Sequence, residues 1–76
     1  MDRTHGGAQF MSVKVENTED GYVGQELHCK RHGTNDVVAK LIYWDADGQY
    51  AVETVGEVPL AILEELIAET KLMIPS

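Results

Sequence analysis

One cysteine, Cys29, is all the chain contains, so no internal disulfide can form and a small domain must be held together by other means. Its 76 residues make one domain at most, below the size at which a single core is comfortably sufficient. Metal, self-association or a compact fold remain as sources of the missing stability. Basic residues are also scarce: six Lys and Arg face 13 Asp and Glu, for a formal net charge of −7. From Trp44 to Thr70 the acids Asp45, Asp47, Glu53, Glu57, Glu64, Glu65 and Glu69 occur with no Lys or Arg among them. Such a surface repels phosphate backbones, whose binding depends on Lys and Arg neutralising charge, so no nucleic-acid partner is expected.

Long apolar runs are absent too. Nothing approaches the roughly 20 residues that span a bilayer, and the opening MDRTHGGAQF has no apolar stretch of the kind a secretory signal carries. A lone thiol without an export signal is expected in a reducing, cytoplasmic setting. Missing as well are a Gly-rich phosphate loop and an HExxH pair. The adjacent Glu64 and Glu65, and Asp45 with Asp47, fall on a helix face and a turn with nothing to enclose a substrate. No enzymatic activity is expected.

What is present is a regular succession of strand signals. The first nine residues, with two adjacent glycines and no periodicity, read as a flexible tail (1–9) ahead of a single domain (10–74). From Phe10 to Asn17 apolar Met11, Val13 and Val15 alternate with Ser12, Lys14 and Glu16, the period of a half-buried strand. Thr18-Glu19-Asp20-Gly21 is turn chemistry. Tyr22 to Arg31 forms a second strand with Val23, Leu27 and Cys29 on one face, and His32 to Asp36 reads as a polar loop. Val37 to Trp44 is the strongest strand. Asp45-Ala46-Asp47-Gly48 then predicts a hairpin turn, a type I turn closed by Gly48 in the left-handed region, leading to a strand over Gln49–Val55.

The last element is helical. Pro59 suits a first helical position, where its fixed φ fits and its missing N–H would have no partner. Glu57 and Glu64 lie toward the positive end and Lys71 toward the negative end. Leu60, Ile62, Leu63, Leu66 and Ile67 fall within an arc of roughly 160°, with Glu64, Glu65 and Glu69 opposite, and Pro75 limits any continuation. The predicted fold is α+β: a four-stranded antiparallel β-meander followed by one C-terminal amphipathic α-helix.

Two apolar sheet faces share that one helix. Val37, Ala39, Leu41 and Tyr43 line an uncharged face, which the helix should cover. Val38, Ile42 and Trp44 line the other, broken only by Lys40. With a type I turn and a Gly bulge, Trp44 falls near Tyr50 and Ile42 near Val52 on that second face. Ile42, Trp44, Tyr50 and Val52 are thus the interface candidates, since exposed apolar patches commonly mark contact surfaces and Trp and Tyr are favoured anchors. The commonest partner for such a surface is a second copy, and a dimer is the expected assembly.

Two short motifs remain. Asp45-Ala46-Asp47-Gly48 opens like a calcium loop, yet the loop's sixth position holds Tyr50 and its twelfth Gly56, where glycine and glutamate are required. Cys29-Lys30-Arg31-His32 has the Cys-x-x-His spacing of half a zinc site, so Cys29 and His32 are the candidate metal ligands. Only His28, His5 and acids such as Asp36 are available to complete a tetrahedron. His28 and Cys29, as strand neighbours, leave opposite faces. The plain alternative is a core cysteine beside a basic turn. The reading is a small acidic, non-catalytic protein–protein interaction module that self-associates through its sheet. A zinc-binding domain using Cys29 and His32 is the alternative, and an acidic mimic or inhibitor of a basic partner a further one.

Overall fold

The structure is a computed structural model that describes residues 1–74. It is α+β: five strands, β1 (Asp2–His5), β2 (Ala8–Asn17), β3 (Tyr22–Arg31), β4 (Thr34–Trp44) and β5 (Gln49–Thr54), precede the helix α1 (Leu60–Met73). The strands pair in chain order as one antiparallel meander. Among the described residues, no helix is long and apolar enough to cross a membrane. Pro75 lies outside the described residues.

A fifth strand stands where a tail was expected. Asp2 to His5 pair with Met11 to Ala8, turned by Gly6 and Gly7 at φ 58° and 79°. Two successive positive φ values are the two-residue turn whose twist matches antiparallel strands. The same turn joins β3 to β4 through His32 (φ 51°) and Gly33 (φ 80°). Thr34 to Asp36, read as loop, therefore already belong to β4. The opposite end of the sheet uses four-residue loops. Gly21 N–H donates to Asn17 O at 2.9 Å and Gly48 N–H to Trp44 O at 2.8 Å, and Asp45 N–H ties the two loops by donating to Gly21 O at 2.9 Å.

Ala8, Phe10, Leu27, Ala39 and Leu41 from the sheet meet Ile62 and Leu66 from the helix in one buried cluster, with Cys29, Val38, Val58, Leu63 and Ile67 packed around it. In β2 the apolar row Met11, Val13 and Val15 faces away from the helix, because Ala8 and Phe10 share the other face with Ser12 and Lys14. A bulge shifts the β3–β4 register between Leu27, opposite Ala39, and His28, opposite Val37. Val38 is the extra residue. It turns into the core, while Val37 is exposed, which reverses the faces expected for these two valines.

Pro59 sits one position before its expected place. Its ψ of 133° is extended, so it serves as the helix N-cap and Leu60 is the first helical residue. Glu57 lies before the cap, outside the helix, and Lys71 is in its last turn as expected. Glu65 and Glu69, expected on a solvated side, reach the N-terminal strands instead. Arg3 binds Glu65 through Nε (3.0 and 3.1 Å) and Nη2 (2.8 Å). Glu69 accepts hydrogen bonds from Ser12 Oγ, from Gln25 Nε2 at 2.9 Å and from the Met1 ammonium at 3.0 Å. Gln25 Nε2 also donates to Thr70 Oγ1 at 3.2 Å, and Thr70 Oγ1 to Leu66 O at 2.7 Å. These bonds form a polar seam that sets the helix on the sheet, and among the described residues no buried side-chain polar atom lacks a partner.

The seam should register in the pH dependence of stability. Partial burial pushes the Glu69 carboxyl up, but the bonds from Ser12, the ammonium and Gln25, with the ammonium's charge, outweigh it and hold the carboxyl below its ordinary value. A group depressed in the folded state contributes stability that is present above its unfolded pKa, about 4.3 for Glu, and is lost as pH falls through the folded value. Glu69→Gln should therefore cost on the order of 1 kcal/mol near neutral pH. That corresponds to about 4–8 °C in melting temperature for a domain of this size. The gap between variant and wild type should narrow as melts are taken from about pH 5 downward; a gap of constant size would show that the carboxylate is not stabilised by these bonds.

Candidate functional site

The four interface candidates lie on two different surfaces. Trp44 stands opposite Gln49, Tyr43 opposite Tyr50, Ile42 opposite Ala51 and Leu41 opposite Val52. The four-residue loop shifts this register by one relative to the expected bulged turn, and a shift of one moves every side chain to the other face. Tyr50 and Val52 are therefore on the helix side, with Leu41 and Tyr43. Ile42 and Trp44 are on the back, and the structure does not bring the four together.

The back face has no element over it. Its rows run Met11–His28–Val37, Val13–Glu26–Lys40–Glu53, Val15–Gly24–Ile42–Ala51 and Tyr22–Trp44–Gln49. Part of this face is shielded by its own side chains, while Val13 and Val37 stay exposed. Ile42 is buried, and Tyr22 and Trp44 pack edge to face with ring centroids 5.1 Å apart. His28 Nε2 lies 3.3 Å from Glu26 Oε1. Apolar area that neighbours already shield has less to gain from a partner.

The second surface is β5. Helix α1 packs on β3 and β4, and all six residues of β5 are exposed. Val52 is 53% exposed, and Val55 beyond the strand is more so. Between α1 and β5 runs a hollow of about 240 Å³ lined by Leu41, Tyr50, Val52, Ile67 and Lys71. Tyr43 packs edge to face on Tyr50 at 5.0 Å, and Lys71 Nζ sits 5.7 Å from the Tyr50 ring centre. The apolar side chains of Tyr50 and Val52 sit on the edge strand itself.

A larger hollow of about 480 Å³ lies past the N-terminus of α1, lined by Cys29 together with His5, Arg31, Asp36 and Glu57 and by the apolar Phe10 and Val58. Cross-strand pairing explains the grouping, because Cys29 faces both Phe10 and Asp36 while Arg31 faces Thr34. His5, Arg31, Asp36 and Glu57 are all exposed. His32 is not part of this hollow. It occupies the tight turn, while Cys29 is a half-buried strand residue beside the core. Among the described residues, no three His, Cys, Asp or Glu side chains are grouped so as to hold a metal ion.

The chain matches no protein-family model, no curated protein and no solved structure.

Proposed function

We propose that this chain is a small, non-catalytic protein–protein interaction module that assembles with a second copy of itself through its sheet. The observation that supports this most is the mismatch between one helix of 14 residues and a five-stranded sheet. The helix rests on the central strands, and β5 presents Tyr50, Val52 and an open backbone edge to water. A domain of this size has little core to spare, and association would bury apolar area that folding alone leaves out. Symmetric dimers are the commonest homo-oligomers. The exposed acids, at a net charge of −7, keep the remaining surface soluble.

Native mass spectrometry with light scattering tests this directly. At about 100 µM the wild-type chain should be a dimer, which requires a Kd below that concentration, an association free energy of about −5.5 kcal/mol or better. A mass corresponding to one chain under those conditions would remove the proposal. Capture of a basic protein by a monomeric chain would favour the acidic-mimic alternative instead.

A further inference from the structure

The open edge of β5 specifies how two copies would meet. In an antiparallel ladder, successive residues turn their backbone N–H and C=O alternately toward and away from the neighbouring strand. Val55 N–H donates to Val38 O at 2.8 Å, and Thr54 stands opposite Ala39. Val55, Glu53 and Ala51 therefore turn toward β4, and Tyr50, Val52 and Thr54 turn their N–H and C=O to the open side.

Natural sheets blunt such edges with short strands, Lys, Pro or bulges. The opposite edge is guarded in this way. β1 has four residues, carries Asp2 and Arg3, and is tied to the helix through Arg3 and Glu65. β5 has none of these devices: its six residues include no Pro, Lys or Arg, and its pairing with β4 is regular. Glu53 is its one charge.

We propose, resting on the self-association reading above, that two copies join edge to edge along β5, antiparallel, with the twofold axis at Val52. In this register Val52 faces Val52 of the other copy, Tyr50 faces Thr54 and Ala51 faces Glu53. Every outward N–H and C=O of Tyr50, Val52 and Thr54 then finds a partner. A register centred on Ala51 would pair Tyr50 with Val52 and leave Thr54 beyond the matched segment. In the Val52 register the strand's one charge, Glu53, stands opposite Ala51 and not opposite its own copy, so the edge can pair with a second copy of itself. The twofold axis runs perpendicular to the sheet, so both helices lie on the same face. The two hollows beside Tyr50, Val52 and Ile67 then flank one seam. Leu60 is exposed, and with Leu63 and Ile67 it recurs at helical spacing on the side of α1 that looks toward that seam.

Two exposed valines give a matched test. Val52 at the axis is 53% exposed and Val13 on the back face is 45% exposed, so Lys is tolerated by the monomer fold at either position. Val52→Lys sets two ammonium groups against each other at the axis and should raise the dimer Kd at least about tenfold, while Val13→Lys leaves it unchanged. A second measurement does not depend on the Lys variant. In a Cys29→Ser background, Val52→Cys should oxidise to a disulfide-linked dimer, because opposed residues in such a pair have Cα atoms about 5.5 Å apart. If the wild-type chain is a monomer, the self-association reading and this arrangement fail together. If it is a dimer that survives Val52→Lys, or that Val13→Lys dissociates, only the β5 arrangement is overturned.

Discussion

Gly24→Ala should abolish a cooperative thermal transition or lower the melting temperature by more than about 12 °C, taking at least 3 kcal/mol at about 4 °C per kcal/mol. Gly24 is buried in the middle of β3, between Val15 of β2 and Ile42 of β4. A Cβ built there would lie 2.0 Å from the Leu41 carbonyl oxygen, 2.7 Å from Ile42 Cα and 2.9 Å from the Leu41 carbonyl carbon. All three are backbone atoms, so no side-chain rotation relieves the clash. The alternative is to part β3 from β4, the two central strands on which the helix rests. Overpacking in a core costs about 1–3 kcal/mol when side chains can adjust, and backbone contacts this close should exceed that. Total stability is on the order of 0.05–0.15 kcal/mol per residue, so a chain of this length has little to lose. A Gly24→Ala protein melting within about 4 °C of wild type would show that β3 and β4 do not approach as described.

The second large effect is at Leu66. Its side chain is fully buried between α1 and the sheet, in the cluster with Leu27, Leu41 and Ile62. Leu66→Ala should cost about 2–5 kcal/mol through lost transfer energy and the cavity left behind. Leu72, in the same helix, is 89% exposed, and Leu72→Ala should stay within about 0.5 kcal/mol of wild type. Denaturant melts of the two variants read the helix's orientation. Equal effects would mean that α1 does not present Leu66 to the sheet.

Leu66 and Leu27 illustrate what could be read from the chain itself. Both sit in strongly periodic segments, and period alone assigns their faces. β3 was legible over its whole span, from Tyr22 to Arg31, because turn residues bound it on both sides. β1 was not, since Asp-Arg-Thr-His has no apolar alternation. Its signal was Gly6-Gly7, which supplies the two positive φ values of a tight hairpin. Missing β1 also hid Arg3, the partner of Glu65. The partners of Glu69, which are Ser12 and Gln25 on β2 and β3 with the Met1 ammonium, depend on how the helix lies across the sheet. Two anchoring carboxylates therefore read as solvated acids. Gly24 carried a signal as well, since an isolated glycine inside a strand pattern marks a close backbone approach.

The faces of Tyr50 and Val52 depended on something period cannot supply. Alternation says that these two residues share a face, but the loop from Asp45 to Gly48 decides which one. A single residue of difference in that loop transfers both to the helix side. The bulge at Val38 acts in the same way on Val37. Relative register is a long-range property of paired backbones, and one chain's local pattern is silent about it. The apolar surplus of the sheet was legible from composition and alternation; how it divides between the back face and the helix side of β5 required the pairing.

Residue-resolved amide hydrogen exchange at two protein concentrations, about 10 µM and about 1 mM, tests most directly whether the chain assembles through this sheet. Protection of the Tyr50, Val52 and Thr54 N–H groups should rise with concentration, while that of Asp2 to His5 at the opposite edge stays constant. Exchange at all three β5 amides that is fast and independent of concentration would contradict the account.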